Sequence, residues 1–397
     1  MQFKDVIGQA TVKQHLVELV QQNRLSHALL FLGKEGSGAL SLAIAFAQYV
    51  LCEKASGKSE SDLGPSMFGD LEPAPAMNDS CGQCRSCVKA EQYIHPDIHF
   101  SYPVIPRKPG DKPTSTDYIT QWREFLKESP YGNAYDWLLS IKAENKQGNI
   151  TAEECNSIIH KLSLKSFESE YKILIMWMPE YLQNSGNKLL KLIEEPPAKT
   201  LFILVAENAD NILPTILSRC QLIKIPALER EDIEAALQTN GYEGERASLA
   251  ASMADGNYRV ALLEAENAED NDWQAILREW LNVAFHGNPI NYTKWVDTIS
   301  KYGREPQKQF IYFFIHLLEQ ALRLKVLGAN AETPTSELDF AQRLNKLLTI
   351  EQQEAIMSEL DKAAYYIERN ANPKLLFHAL TIKLNHIIKD KALILAQ

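Results

Sequence analysis

The sequence predicts an α/β domain built on a parallel sheet and followed by an all-helical region, and three observations carry that prediction. Short apolar, β-branched runs recur as ALLFL (28–32), IHFSYPV (98–104), YKILIMWM (171–178), TLFILVAE (200–207) and QLIKI (221–225). Between most of them lie segments with helical apolar spacing, such as Leu182, Leu189, Leu190 and Ile193 ahead of the stop signal Pro196-Pro197. After Pro226 the strand pattern ends, and the remaining chain reads as helix, for example FIYFFIHLLEQALRLKVL (310–327) and EAIMSELDKAAYYIERN (354–370). Strands alternating with helices imply a parallel sheet covered on both faces.

The 397 residues suffice for two or three domains, and 45% hydrophobic with 23% charged residues excludes disorder throughout. The net charge of −10, from 41 basic and 51 acidic side chains, argues against binding nucleic acid by bulk charge, so any DNA contact must be focused. The opening MQFKDVIGQATVKQHL has helical spacing and no signal-peptide apolar region. No segment reaches ~18 uninterrupted apolar residues, so no membrane span and a cytoplasmic location are expected. Two stretches interrupt the α/β part. Residues 53–80, rich in Ser, Gly, Pro and acidic side chains, read as a solvated insert, and residues 105–149 (PRKPGDKP, then YGNAYDWL) as a partly helical insertion.

The first apolar run leads into GKEGSGAL (33–40), and a helical pattern follows. A phosphate-binding P-loop reads G-x-x-x-x-G-K-[ST]: backbone N–H groups wrap the phosphates, Lys neutralises them and Ser/Thr ligates magnesium. Gly33 and Gly38 hold the glycine positions with Gly36 between them, but Ala39 and Leu40 stand at the Lys and Ser/Thr positions. Lys34 lies at the wrong end of the loop to substitute directly. The acidic pair expected at the end of a later strand is also missing: in KILIMWMPE, Trp177 and Met178 replace it and Glu180 comes two residues late. Two degenerate motifs in the right order predict a loop kept for its backbone shape, with ATP bound weakly or not at all.

CGQCRSC sets Cys81, Cys84 and Cys87 at three-residue intervals, a spacing that aims three thiolates at one point about 2.3 Å from a zinc ion. Cys52 is the natural fourth ligand and His95 the competing one. Four thiolates with no open position describe a structural site. Cys155 falls in a helical pattern and reads as core.

These features, together with ILPTILSRCQ (212–221), KLLKLIEEPP (188–197), FKDVIGQATVKQHL and NANPKLLFHALTIKL (370–384), resemble the clamp-loader branch of the AAA+ proteins. The resemblance spans nearly the whole chain outside the two inserts. It implies a P-loop NTPase-type α/β domain over 1–226, a small helical lid over 227–268 and a helical collar over 269–397 that holds a five-subunit ring together. It also implies an arginine finger: the Arg of the SRC motif (Ser218, Arg219, Cys220) reaches the γ-phosphate of ATP on a neighbouring subunit. The zinc module of the family matches Cys52, Cys81, Cys84 and Cys87. The lid arginine of G-x-x-R-x-A-L appears in GNYRVAL as Arg259 and is expected in a structural or interdomain pair. Where active relatives end a strand with a γ-phosphate-sensing hydroxyl, this chain has Ala206 and Glu207.

The implied role is an ATPase-silent subunit of the DNA polymerase III clamp loader. Its expected partners are gamma- or tau-type ATPase subunits, a delta-type subunit, the sliding clamp and primer-template DNA. The alternative is an active P-loop ATPase of the same type that uses Lys34 and Glu180 from displaced positions. A zinc-dependent nucleic-acid module is disfavoured by the acidic balance.

Overall fold

The structure is a computed structural model and describes residues 1–55, 77–108, 110–143, 146–267, 273–286, 289–327, 335–368 and 371–390. Most of the predicted insert at 53–80 therefore lies outside the described residues. The first unit, Met1–Ala247 with Ala254–Ala261, opens with α1 (Ala10–Gln21), β1 (Ala28–Gly33), α2 (Ala39–Leu51), α3 (Arg85–Glu91) and β2 (Ile98–Ser101). It continues with α4 (Ile119–Glu128), α5 (Ala134–Ser140), α6 (Ala152–Ser163), β3 (Lys172–Trp177), α7 (Leu190–Glu194), β4 (Thr200–Ala206), α8 (Pro214–Leu217), β5 (Gln221–Ile225) and α9 (Arg230–Thr239).

Among the described residues the strands form one sheet in the order β2-β3-β4-β1-β5, and every pairing is parallel. This is the predicted P-loop-type arrangement, with β1 in an interior position and running into the glycine loop. Period-two alternation divides β1, β3 and β4 between two cores. Leu29, Phe31, Ile173, Ile175, Leu201 and Ile203 face α2 and the 100–143 region, while Leu30, Leu174, Met176, Phe202 and Leu204 face α6 and α7. Cys155 lies in that second core, as its helical position predicts.

The insertion at 105–149 is part of the first core. Trp122 on α4 stacks on Tyr102 at 4.0 Å and meets Trp137 of α5 edge-on at 5.1 Å and Trp177 at 5.2 Å. The Trp137 indole N–H donates to the Pro103 carbonyl at 2.7 Å. Trp177, which stands where an acid is expected, is thus the contact by which β3 carries the insertion. Trp177→Ala is expected to cost about 3–5 kcal/mol, measured by urea unfolding; a loss below ~1 kcal/mol would show that the insertion is held by other contacts.

The second unit contains Ser248–Met253, the end of α10 (Gly244–Met253), and the described residues from Leu262, which lies within α11 (Tyr258–Asn267). It continues through α12 (Trp273–His286), α13 (Pro289–Ile299), α14 (Arg304–Leu327), α15 (Thr335–Leu347), α16 (Ile350–Glu368) and α17 (Pro373–Asp390). Its core holds Phe310, Phe313, Phe314 and Leu317 of α14, so the aromatic positions at helical spacing are packing residues. Trp280 and Trp295 stack beside them at 4.8 Å.

Candidate functional site

At the end of β1 the chain turns through Gly36 (φ 71°) and Gly38 (φ 82°), both left-handed, before α2 begins. A Cβ on Gly36 would lie 1.8 Å from the Asn257 side chain, and one on Gly38 would lie 2.7 Å from the Tyr131 ring. These positions require glycine both for backbone conformation and for close approach. The shape of a phosphate-binding turn is present, but its chemistry is not. Ala39 (8% exposed) and Leu40 (5%) belong to the apolar core around α2. Lys34 is exposed on the loop.

The pocket bordered by Gly33, Gly38, Tyr131, Trp177, Ala206 and Glu207 has a volume of about 30 Å³. Glu180 is engaged elsewhere, and its Oε1 accepts the backbone N–H groups of Glu207 and Asn208 at 2.7 and 2.9 Å. Burial raises its pKa, while those N–H groups oppose the shift.

Arg259 is 6% exposed and pairs with carboxylates. Its Nε and Nη2 donate to the two oxygens of Asp136 at 2.5 and 2.7 Å, and Nη1 donates to Glu35 of the glycine loop at 3.2 Å. The expected structural pair exists, and its main partner comes from the insertion. The Asn133/Asp136 capping box signals the start of α5 in sequence, but nothing local marks Asp136 as the partner of an arginine 123 residues away.

Arg219 follows α8 and precedes β5, with one third of its side chain exposed. Its Nε donates to Glu194 Oε1 at 2.7 Å and its Nη2 donates to the same oxygen. Its Nη1 donates to the Thr215 carbonyl at 2.7 Å and to Ser218 Oγ at 3.2 Å. Glu194 ends α7, so a helix on each side holds the guanidinium at the surface. Cys220 is half-buried, and burial pushes its thiol up to about 11. Sequence reasoning overlooked Glu194, although it lies inside the KLLKLIEEPP segment.

The third cluster is the cysteine set. The sulfurs of Cys52, Cys81, Cys84 and Cys87 all lie within 4.8 Å of one another, and those of Cys81 and Cys87 are 3.8 Å apart. Four ligands at 2.3 Å in a tetrahedron stand about 3.8 Å from each other, so the donor set fits a metal ion. Backbone N–H groups point at the sulfurs: Cys81 donates to Cys52 (3.3 Å), Cys84 to Cys81 (3.3 Å) and Cys87 to Cys84 (3.4 Å). Such bonds orient thiolate ligands and share their charge. The Cys87 thiol, with backbone N–H groups, holds the Cys52 thiol down to about 4 against the opposing effect of burial, and Cys87 as donor is pushed up. His95, the competing ligand, is committed elsewhere: Nε2 meets Ser86 Oγ at 2.8 Å and Ser169 Oγ at 3.2 Å, and Nδ1 accepts the Asp97 N–H at 3.1 Å.

Comparison with known proteins places the chain in a family. The sequence profile described as DNA polymerase III, delta subunit, matches residues 8–67 and 70–229, more than half of the chain and most of its first unit. The chain is 27% identical to DNA polymerase III subunit delta' of Bacillus subtilis over 248 residues, 62% of this chain and 56% of that protein. It is 24% identical to DNA polymerase III subunit delta' of Escherichia coli over 342 residues, 84% of this chain and 81% of that protein. To DNA polymerase III subunit tau of B. subtilis it is 26% identical over 267 residues, 66% of this chain and 36% of that protein. The match thus spans little more than half of the B. subtilis delta' subunit and about a third of tau. With this match over most of the α/β unit, the chain belongs to the DNA polymerase III delta subunit family.

Proposed function

We propose that this chain is the delta'-type subunit of a sliding-clamp loader, that it neither binds nor hydrolyses ATP itself, and that it supplies Arg219 to the ATP site of a neighbouring subunit. The observation that carries this reading is the contrast between the two edges of the α/β unit. At the glycine loop the Lys and Ser/Thr positions are core residues, Ala39 and Leu40. At the other edge Arg219 keeps a guanidinium at the surface between α7 and α8. Tau- and delta'-named relatives support partners of the gamma or tau ATPase type. The sliding clamp and primer-template DNA follow from the same role, as do a lid over 227–268 and an oligomerising collar over 269–397.

The four thiols would hold a structural zinc ion. Bound zinc supplies a closed tetrahedral crosslink with no position for substrate. Cys52 would tie the end of α2 to the turn that starts α3, and the backbone N–H groups of Cys81, Cys84 and Cys87 would fix the sulfurs. No step of nucleotide chemistry needs the metal.

Calorimetric titration of the full chain with MgATP is expected to show no micromolar binding, because the Lys, the Ser/Thr and the acidic pair are all lacking. Micromolar, magnesium-dependent heat would favour the active ATPase instead. Glu180 gives that alternative little support, since its carboxylate caps the turn after β4. Purification of the chain from its own cells is expected to return ATPase subunits and polymerase factors in fixed ratio; recovery of the chain alone would count against the loader role.

A further inference from the structure

We propose that residues 130–136 are a built-in occupant of the glycine loop, closing the pocket by contacts separate from the loss of its Lys and Ser/Thr. The proposal deepens the ATP-silent reading and rests on it. A helix N-terminus after a glycine turn is an anion site because its backbone N–H groups and dipole converge on one spot. Here Tyr131 comes down on Gly38, the last glycine before α2, so closely that a Cβ there would be 2.7 Å from the ring. The ring is fixed from three sides. Its hydroxyl accepts the Ile7 N–H at 2.8 Å, its edge meets Tyr258 at 4.9 Å, and the Ser41 hydroxyl on α2 donates to the neighbouring Pro130 carbonyl at 2.8 Å.

Carboxylates take the part of phosphate in the second half of the device. Asp136 accepts the fork of Arg259, a bidentate pairing that matches guanidinium geometry. Glu35, from the loop itself, accepts from Arg259 at 3.2 Å, from Asn133 at 3.1 Å and from Asn257 at 3.4 Å. The Tyr258 N–H donates to the Gly36 carbonyl at 3.2 Å. Insertion, glycine loop and residues 257–259 therefore form one polar cluster with a buried cation at its centre. Removing one carboxylate leaves that cation short of its partner, the costly way to break a buried pair. A ligand that needs the open loop binds with its affinity multiplied by the small open fraction.

The test uses the full chain and MgATP, with calorimetry on A39K/L40T and on A39K/L40T/Y131A/D136N. Restoring the two loop residues alone is expected to leave binding at the wild-type level, and adding the second pair to tighten it by at least about tenfold. Equal affinity of the two variants overturns the proposal, and so does a folded four-residue variant that binds no better than wild type. Hydrogen exchange of D136N alone decides the matter if the larger variant does not fold: amides of 36–40 and 257–261 are expected to exchange about tenfold faster than in wild type, and unchanged exchange refutes the lock. Tight MgATP binding by the wild-type chain would instead overturn the ATP-silent reading itself.

Discussion

Cys84→Ser is expected to remove zinc from the purified chain and to loosen the segment from 81 to 95. α3 has seven residues, too few to hold a helix by its own hydrogen bonds. Cys84 starts it: its sulfur accepts the Cys87 N–H in the N-cap position. Structural zinc binding in zinc-finger peptides contributes about 10–16 kcal/mol, and that free energy is folding free energy. Loss of one ligand therefore removes more than the neighbouring contacts return. Those contacts, Ser86 with His95 and Ser169, tie the end of the module to the chain entering β3. Elemental analysis is expected to fall from one zinc per chain to well below one, with faster exchange over 81–95. One full equivalent in the mutant would refute the four-thiolate site, and one equivalent in a Cys52→Ser chain would refute Cys52 as a ligand.

Much of the fold was legible because strands buried on both faces are written as continuous apolar runs, and β1, β3 and β4 are such runs bounded by Gly, Pro or polar residues. The cysteine set was legible from spacing in Cys81, Cys84 and Cys87. Cys52 joined it because α2 ends where the second segment returns, a fact of tertiary structure. The insertion at 105–149 was legible as partly helical, as α4 and α5 show, but its packing partners were not. Its Trp122 and Trp137 answer to Trp177 on another element, and such pairing leaves no local period. Glu180 looked like a displaced acid because sequence distance measures position along the chain and not direction. Its carboxylate turns to the N–H groups of 207 and 208. The same limit concealed Tyr131 and Asn133, which reach the glycine loop from about a hundred residues away.

Arg219→Ala is expected to leave folding, zinc content and assembly unchanged and to lower ATP hydrolysis by the assembled loader. The side chain lies outside both cores of the α/β unit, and its ion pair with Glu194 is half-exposed, so it contributes only about 0–1 kcal/mol to stability. The catalytic term is far larger: an arginine supplied in trans stabilises charge on the transferring phosphoryl group by about 10³–10⁵ in rate in nucleotide hydrolases. The loss falls on one neighbouring site, so the total rate drops by that site's share. To reach a phosphate the guanidinium would exchange Glu194 for a stronger anion, which its single-oxygen, half-exposed pairing permits. Lys presents a point charge without the planar fork, so Arg219→Lys is expected to recover part of the loss and no more.

The most direct measurement is DNA- and clamp-stimulated steady-state ATP hydrolysis by the reconstituted complex, with wild-type or Arg219→Ala chain, after both are shown to assemble equally. A reduced rate with the mutant, partly restored by Arg219→Lys, is the predicted result. Wild-type rates of hydrolysis and clamp loading with the Ala chain would contradict the trans-arginine role and leave this subunit a scaffold.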